Sequence, residues 1–302
     1  MTEAIESPDN TLLESTPRDW WVLTKPGVMM LVLFSGAVGM WLAPGSLNPV
    51  LQLSIILAIG MASASGAICN MVYDQDIDRI MKRTQNRPLI TGVIAADDAK
   101  LLAGGLAIGS VTLMGLVSNW YAAALLAFSI FFYAVIYTVW LKRHTPQNIV
   151  IGGAAGAFPP VIGWLAVTGD ASSALPWLLF LTIFLWTPPH FWALALYRNE
   201  DYRNANIPMM PVTAGKKHTK GQMIGYCIIL LITTLAVPFT SPTLGISSLL
   251  AATFLSGMFL IHSLRVWRSD EDSVARKMFG YSILYLFALM GAFLLDHLLL
   301  PF

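Results

Sequence analysis

The feature that most constrains this chain is the recurrence of long apolar runs. A helix crossing the hydrocarbon core of a bilayer needs about 20 largely apolar residues at roughly 1.5 Å rise each. Runs that qualify fall near 27–43, 50–69, 99–117, 120–141, 148–167, 177–197, 223–240, 244–265 and 279–295. Nine such runs predict an all-α, polytopic membrane protein with nine transmembrane helices. Only 12% of the 302 residues are charged, about half of the roughly 25% carried by soluble domains, too few to cover a water-facing surface. The net charge of +1 and the lack of a basic tail give no reason to expect nucleic acid as a partner.

The spacers alternate in character. Those after the odd-numbered runs are short, and those after the even-numbered runs (70–98, 142–147, 198–222 and 266–278) are polar and mostly longer. All 18 Lys and Arg residues lie in the N-terminal tail, in the even spacers or at helix ends adjoining them. Because cytoplasmic loops carry the excess of Lys and Arg, the N-terminus and both long loops are expected in the cytoplasm and the C-terminus outside. Residues 1–19, with five acids and only Arg18 as a base, are neither a secretory signal nor an Arg-rich transit peptide. They read as a mobile polar tail, with 20–302 forming a single domain in a bacterial plasma membrane. Cys69 and Cys227 follow no metal-ligand spacing and read as packed, reduced thiols.

Against this apolar background one stretch stands out. Asp74, Asp76, Asp78 and Arg79 put four ionisable side chains within six residues at the exit of the second run. At about 100° per residue, Asn70, Asp74 and Asp78 lie within about 80° on one helix face, while Asp76 points away. The sixth run has a similar exit on the same side, Tyr197-Arg198-Asn199-Glu200-Asp201-Tyr202, which hints at an internal duplication with a site between the halves. Stacked carboxylates and an amide oxygen are hard ligands that suit Mg²⁺. Acids holding metal, with Lys82, Arg83, Arg87 and Lys216 as candidate anion ligands, are what a diphosphate requires. The bland alternative is a solvated helix end whose acids pair with Arg79 or Lys82.

The pattern Asn70-x₃-Asp74-x₃-Asp78, followed by Arg83-Thr84-Gln85-Asn86-Arg87-Pro88-Leu89, resembles the first motif of the UbiA-type intramembrane prenyltransferases. Tyr197-x₃-Asp201-Tyr202, the segment 205–212 and Pro189-His190-Phe191-Trp192 resemble the haem-modifying branch of that family, and Thr24-Lys25-Pro26 fits as well. Two positions depart from the wider family pattern: Tyr197 stands where quinone-pathway members tend to carry Asp, and Asn206 where Gly is usual. Asn tolerates a left-handed turn, so the loop need not change.

The resemblance implies transfer of a farnesyl group from farnesyl diphosphate to the 2-vinyl group of haem b, with addition of water. Asp74, Asp78 and Asp201, with Asn70, would hold Mg²⁺ at a cytoplasm-facing site, and Tyr197 would stand in the second motif. Haem A synthase or terminal-oxidase assembly would receive the product.

Of the five histidines, His190 is the candidate haem contact. It follows Pro188-Pro189, expected to break or kink the sixth helix, and lies roughly 16 Å deeper than Asp201 if the helix resumes. His218, among lysines, is a candidate for diphosphate or lipid-headgroup contact, while His144 and His297 read as structural. Two rival readings remain open from sequence: a UbiA-type enzyme acting on an aromatic ring such as 4-hydroxybenzoate, and a cation-coupled transporter, whose site would lie nearer the midplane.

Overall fold

The computed structural model describes residues 15–299, and all regular structure among them is helical. Residues 1–14 of the expected tail lie outside the described residues. Residues 17–19 are not tail. Helix α1 (Pro17–Leu23) starts there because Pro17 opens it and Thr16 and Asp19 form a reciprocal capping box. Helix α2 (Pro26–Trp41) follows at 59°. The turn between them places Lys25 in the left-handed region at φ 51°, and Pro26 cannot continue the ladder from α1.

The chain continues through α3 (Pro49–Tyr73), α4 (Gln75–Ile80), the single turn α5 (Pro88–Thr91), α6 (Ala96–Val117) and α7 (Trp120–Phe131). The last of these runs without a break into a π-helical segment, Phe132–Leu141. Then come α8 (Asn148–Ala157), α9 (Pro159–Thr168), α10 (Ala174–Tyr197), the short α11 (Asn199–Asn204) and α12 (Met210–Thr213), and finally α13 (Lys216–Ala236), α14 (Ile246–Arg268) and α15 (Asp272–Leu299).

Eight spans among the described residues are long and apolar enough to cross a bilayer alone, and the bent α1–α2 pair brings the number to nine when counted as one. The expected first span is this bent pair rather than one straight helix. At 16 residues, α2 is about 24 Å long, shorter than the roughly 30 Å hydrocarbon core. A second correction concerns α10, which runs unbroken through Pro188 and Pro189. Every residue from Leu185 to His190 is buried, so surrounding helices keep the segment helical where a break was expected, as protein neighbours do for proline inside membranes.

Lipid is as apolar as leucine, so close packing rather than hydrophobic exclusion joins these helices. One core gathers Met40, Ile55, Ile59, Met114, Leu126 and Ile162 from the first half of the chain. Another gathers Leu179, Trp186, Met223, Phe259, Tyr285 and Phe293, mainly from the second. Outward residues such as Leu101 and Leu116, 79% and 74% exposed, form the surface that lipid covers.

The tightest approach is between α2 and α9, where glycines replace side chains. A Cβ on Gly39 would stand 2.0 Å from the Pro160 carbonyl oxygen, and one on Gly163 would stand 2.0 Å from that of Gly36. Gly163→Ala is therefore expected to destabilise the protein by about 1–3 kcal/mol through overpacking, whereas Gly104→Ala, with nothing within 4 Å, is not. Thermal melts of the detergent-solubilised variants compare the two.

Candidate active site

Helix α3 does not stop where its apolar run ends. Its ladder passes through Asn70 and continues across a local break at Asp74 (φ −90°, ψ 13°). The Asp74 amide donates to the Asn70 carbonyl at 3.0 Å, and the Asp78 amide to the Asp74 carbonyl at 2.8 Å. The i to i−4 register therefore survives, and the three side chains stay on one stripe. Their exposures of 4%, 0% and 3% rule out the solvated-helix-end alternative.

Polar groups this deep need partners, and the structure supplies them from remote parts of the chain. Lys25 donates from Nζ to Asn70 Oδ1 at 2.6 Å and to the Tyr133 hydroxyl at 3.3 Å. The Asn70 amide donates to Asp74 Oδ2 at 2.7 Å and to Thr138 Oγ1 at 3.1 Å. Lys142 donates to Asp74 Oδ2, and Arg87 to Asp78 Oδ2. Arg87 reaches back because Thr84, buried in the loop, donates to the Asp78 carbonyl at 3.0 Å and accepts the Arg87 amide at 3.0 Å.

Asp76 points elsewhere, as its angle on the helix predicts. Arg143 donates to both its carboxylate oxygens at 2.7 and 2.8 Å while lying over the Tyr73 ring. These hydrogen bonds hold the Asp76 carboxyl below its usual range.

The π-helical segment positions Tyr133, Tyr137 and Thr138. Its i to i+5 bonding, a feature frequent at functional sites, ends with the Lys142 amide donating to the Tyr137 carbonyl at 2.9 Å. The two tyrosines stack at 5.6 Å, and Gly66 and Gly152 make room for them. A Cβ at either glycine would fall within 2.7 Å and 2.1 Å of the respective rings.

The second acidic exit comes to the first through an apolar cluster. Ile77 and Met81 pack with Ile149, Ala195, Tyr202, Ala205, Ile207 and Met209. The loop after α11 closes on Asn206 at φ 54°, so this asparagine adopts the left-handed turn expected of it. The Asp201 side chain is 12% exposed and 3.7 Å from Arg198. Tyr202 is buried, which pushes its phenol up, and the charge of Arg83 from the first loop opposes that shift.

The other expected site residues are distributed as follows. Lys82 and Arg83 remain exposed at the loop surface. Lys216 is not gathered into the acidic cluster; it lines a small recess with Lys220, Ser269 and Asp270. His218 faces an open groove with Lys217, Gln222 and Trp267. His144 bonds the Trp140 carbonyl at 2.9 Å and His297 bonds Thr243 at 2.8 Å, consistent with structural roles. His190 stacks between Trp186 and Phe279 with Nδ1 on the Ser282 hydroxyl at 2.6 Å.

Residues 32–290 match the UbiA prenyltransferase family. The chain belongs to that family. A protein named protoheme IX farnesyltransferase from Parvibaculum lavamentivorans is 50% identical over 290 residues, covering 93% of this chain and 89% of that one. Among solved structures, a digeranylgeranylglyceryl phosphate synthase aligns with a TM-score of 0.77 at 18% identity, over 94% of this chain and 99% of that one. A UbiA homolog from Archaeoglobus fulgidus bound to DMAPP and Mg²⁺ aligns with a TM-score of 0.63 at 15% identity, over 91% and 99%. These two likenesses establish that the chain has the UbiA fold.

The donor set fits a hard divalent cation. Asp74 Oδ1 and Asp201 Oδ2 are buried carboxylate oxygens without a hydrogen-bond partner. Among the described residues no three His, Cys, Asp or Glu side chains gather around one point; Asp74 and Asp78 lie at one exit and Asp201 at the other. Sequence reasoning did not assign Lys142, Tyr133 or Thr138, and it used Lys25 only as part of a motif. The available signal was Lys142-Arg143, the only Lys and Arg in the short fourth spacer.

The Asp76–Arg143 pair carries a pH signature. A depressed carboxyl pKa adds stability that is full above the unfolded value of about 3.9 and disappears as pH falls through the lowered folded value. The melting-temperature deficit of Asp76→Asn is therefore expected to be constant from neutral pH to about 5 and to vanish on further acidification, as measured by thermal melts across pH.

Proposed function

We propose that this chain transfers the farnesyl group of farnesyl diphosphate to the 2-vinyl group of haem b, with addition of water, releasing haem O and diphosphate. The observation that carries the reading is the near-full-length 50% identity to a protein named protoheme IX farnesyltransferase. The buried site is consistent with it. The Lys and Arg distribution favours a site open to the cytoplasm of a bacterial plasma membrane.

In this reading Asn70, Asp74 and Asp78 on one side and Asp201 on the other would hold Mg²⁺. When bound, the metal neutralises charge on the diphosphate oxygens. Lys25, Lys142 and Arg87 already converge on the same stripe and supply further donors to the leaving group, with Lys82 and Arg83 at the loop surface beside them. The C1–O bond of the donor breaks with its electron pair retained by diphosphate. The vinyl π pair then forms the new carbon–carbon bond, water adds to the carbon next to the porphyrin, and a proton is released. Tyr133 and Tyr137, stacked behind Asn70, offer aromatic faces of the kind that stabilise a developing allylic cation by about 0.5–2 kcal/mol each. Tyr197 and His190 line the second acidic exit and the depth below it, where the acceptor would sit.

Purified protein given farnesyl diphosphate, Mg²⁺ and haem b is expected to yield a haem heavier by one farnesyl group and one water, read by mass spectrometry. A prenylated hydroxybenzoate in its place would reassign the acceptor. Asp74→Asn preserves shape but removes the metal-binding charge, and should lower turnover at least about 100-fold with membrane insertion intact. Near-normal activity in that variant would sink the metal-site assignment.

A further inference from the structure

Two arginines share one tyrosine beside the second acidic exit. Arg276 lies with Cζ 5.2 Å from the centre of the Tyr197 ring, and Arg198 lies 5.9 Å from the same ring. Among the described residues Arg276 has no carboxylate within ion-pair distance, although Asp272 precedes it by one turn on α15. The acidic neighbour of Arg198 is Asp201, at 3.7 Å, beyond hydrogen-bond length. Two exposed guanidinium groups that share one aromatic ring can bind an anionic ligand, and their planar forks suit carboxylates.

What lies beneath them narrows the ligand. Tyr197 meets Phe279 edge-on at 6.2 Å, Phe279 stacks on His190 at 4.6 Å, and His190 stacks on Trp186 at 4.2 Å. Ser282 fixes the column from α15, since its hydroxyl bonds His190 and its carbonyl accepts from Trp186 Nε1 at 2.8 Å. The column runs from the arginines at the polar end of α10 and α15 into the bundle. A flat aromatic ligand with carboxylates along one edge matches this sequence of charge followed by ring faces. In the proposed function the diphosphate of the donor would be served by Lys25, Lys142 and Arg87, which here bond Asn70, Asp74 and Asp78.

We infer that Arg198 and Arg276 bind the propionate carboxylates of the porphyrin acceptor, with the Tyr197–Phe279–His190 column flanking its ring. This rests on the haem reading above and adds which residues select that acceptor and by which edge. It assigns Arg276 and Arg198 a binding role in acceptor specificity and no part in the ionisation of the donor.

The test compares haem b with its dimethyl ester, which keeps both vinyl groups but loses both propionate charges. The unmodified protein is expected to favour haem b in kcat/KM by about tenfold or more. Arg276→Ala should lower kcat/KM for haem b by about tenfold and far less for the ester, so that discrimination collapses, while KM for farnesyl diphosphate stays the same. Arg276→Lys should restore part of the preference, and Arg198→Ala should act in the same direction. Equal losses for haem b and ester in Arg276→Ala, or no preference in the unmodified protein, would overturn the inference while leaving the haem reading in place. Failure of the unmodified protein to farnesylate either porphyrin would overturn both.

Discussion

The structure depends on neutralising carboxylates within an apolar bundle. Asp74, at the end of α3, and Asp78, in α4, are almost wholly buried, where an unpaired charge costs several kcal/mol. Lys142 and Arg87 pair with them, and Lys25 bonds the asparagine that supports Asp74. These bases come from the turn before α2, the loop before α5 and the end of the π-helical segment. The three segments are therefore tied to one stripe of α3. Two basic side chains face the two carboxylates and a third faces Asn70, so the buried negative charge is compensated within the protein. Because losing one partner of a buried pair costs about 3–5 kcal/mol, the charges that prepare the site also fix its walls.

Much of this was legible because membrane folding leaves strong marks in sequence. Runs of about 20 apolar residues marked spans that most of the helices reproduce within a few residues, although α13 and α15 begin earlier, at Lys216 and Asp272. Polar residues that interrupt such runs are costly enough to point to function, which is why Asn70, Asp74 and Asp78 were visible at once. Asp76 was separated from them by helix geometry alone, and its exposed pairing with half-buried Arg143 bears that out.

What sequence could not show were partnerships across the chain. Lys142 meets Asp74 across 68 positions, and Lys25 meets Asn70 across 45. No local pattern encodes either meeting. The π-helical segment was equally hidden, since ten residues at i to i+5 bonding are as apolar and continuous as an α-helix would be. Pro188-Pro189 misled for the opposite reason. Proline's penalty is a local property, and the dense packing of α10 against its neighbours overrode it.

The same contrast explains why the two acidic exits had to be joined by packing rather than by metal ligation alone. Each half of the bundle has its own apolar core, and neither core joins the segment of Asp201 to that of Asp78. That task falls to the cluster of Ile77 and Met81 with Tyr202, Ile207 and Met209. Its members sit between or beside the acids at spacings that looked incidental beside the charges. Among the described residues no three acids gather around one point, and in the proposed function a diphosphate carrying its own charge would bridge the two exits. The apolar contacts set the width of the gap, and the charged side chains determine what can fill it.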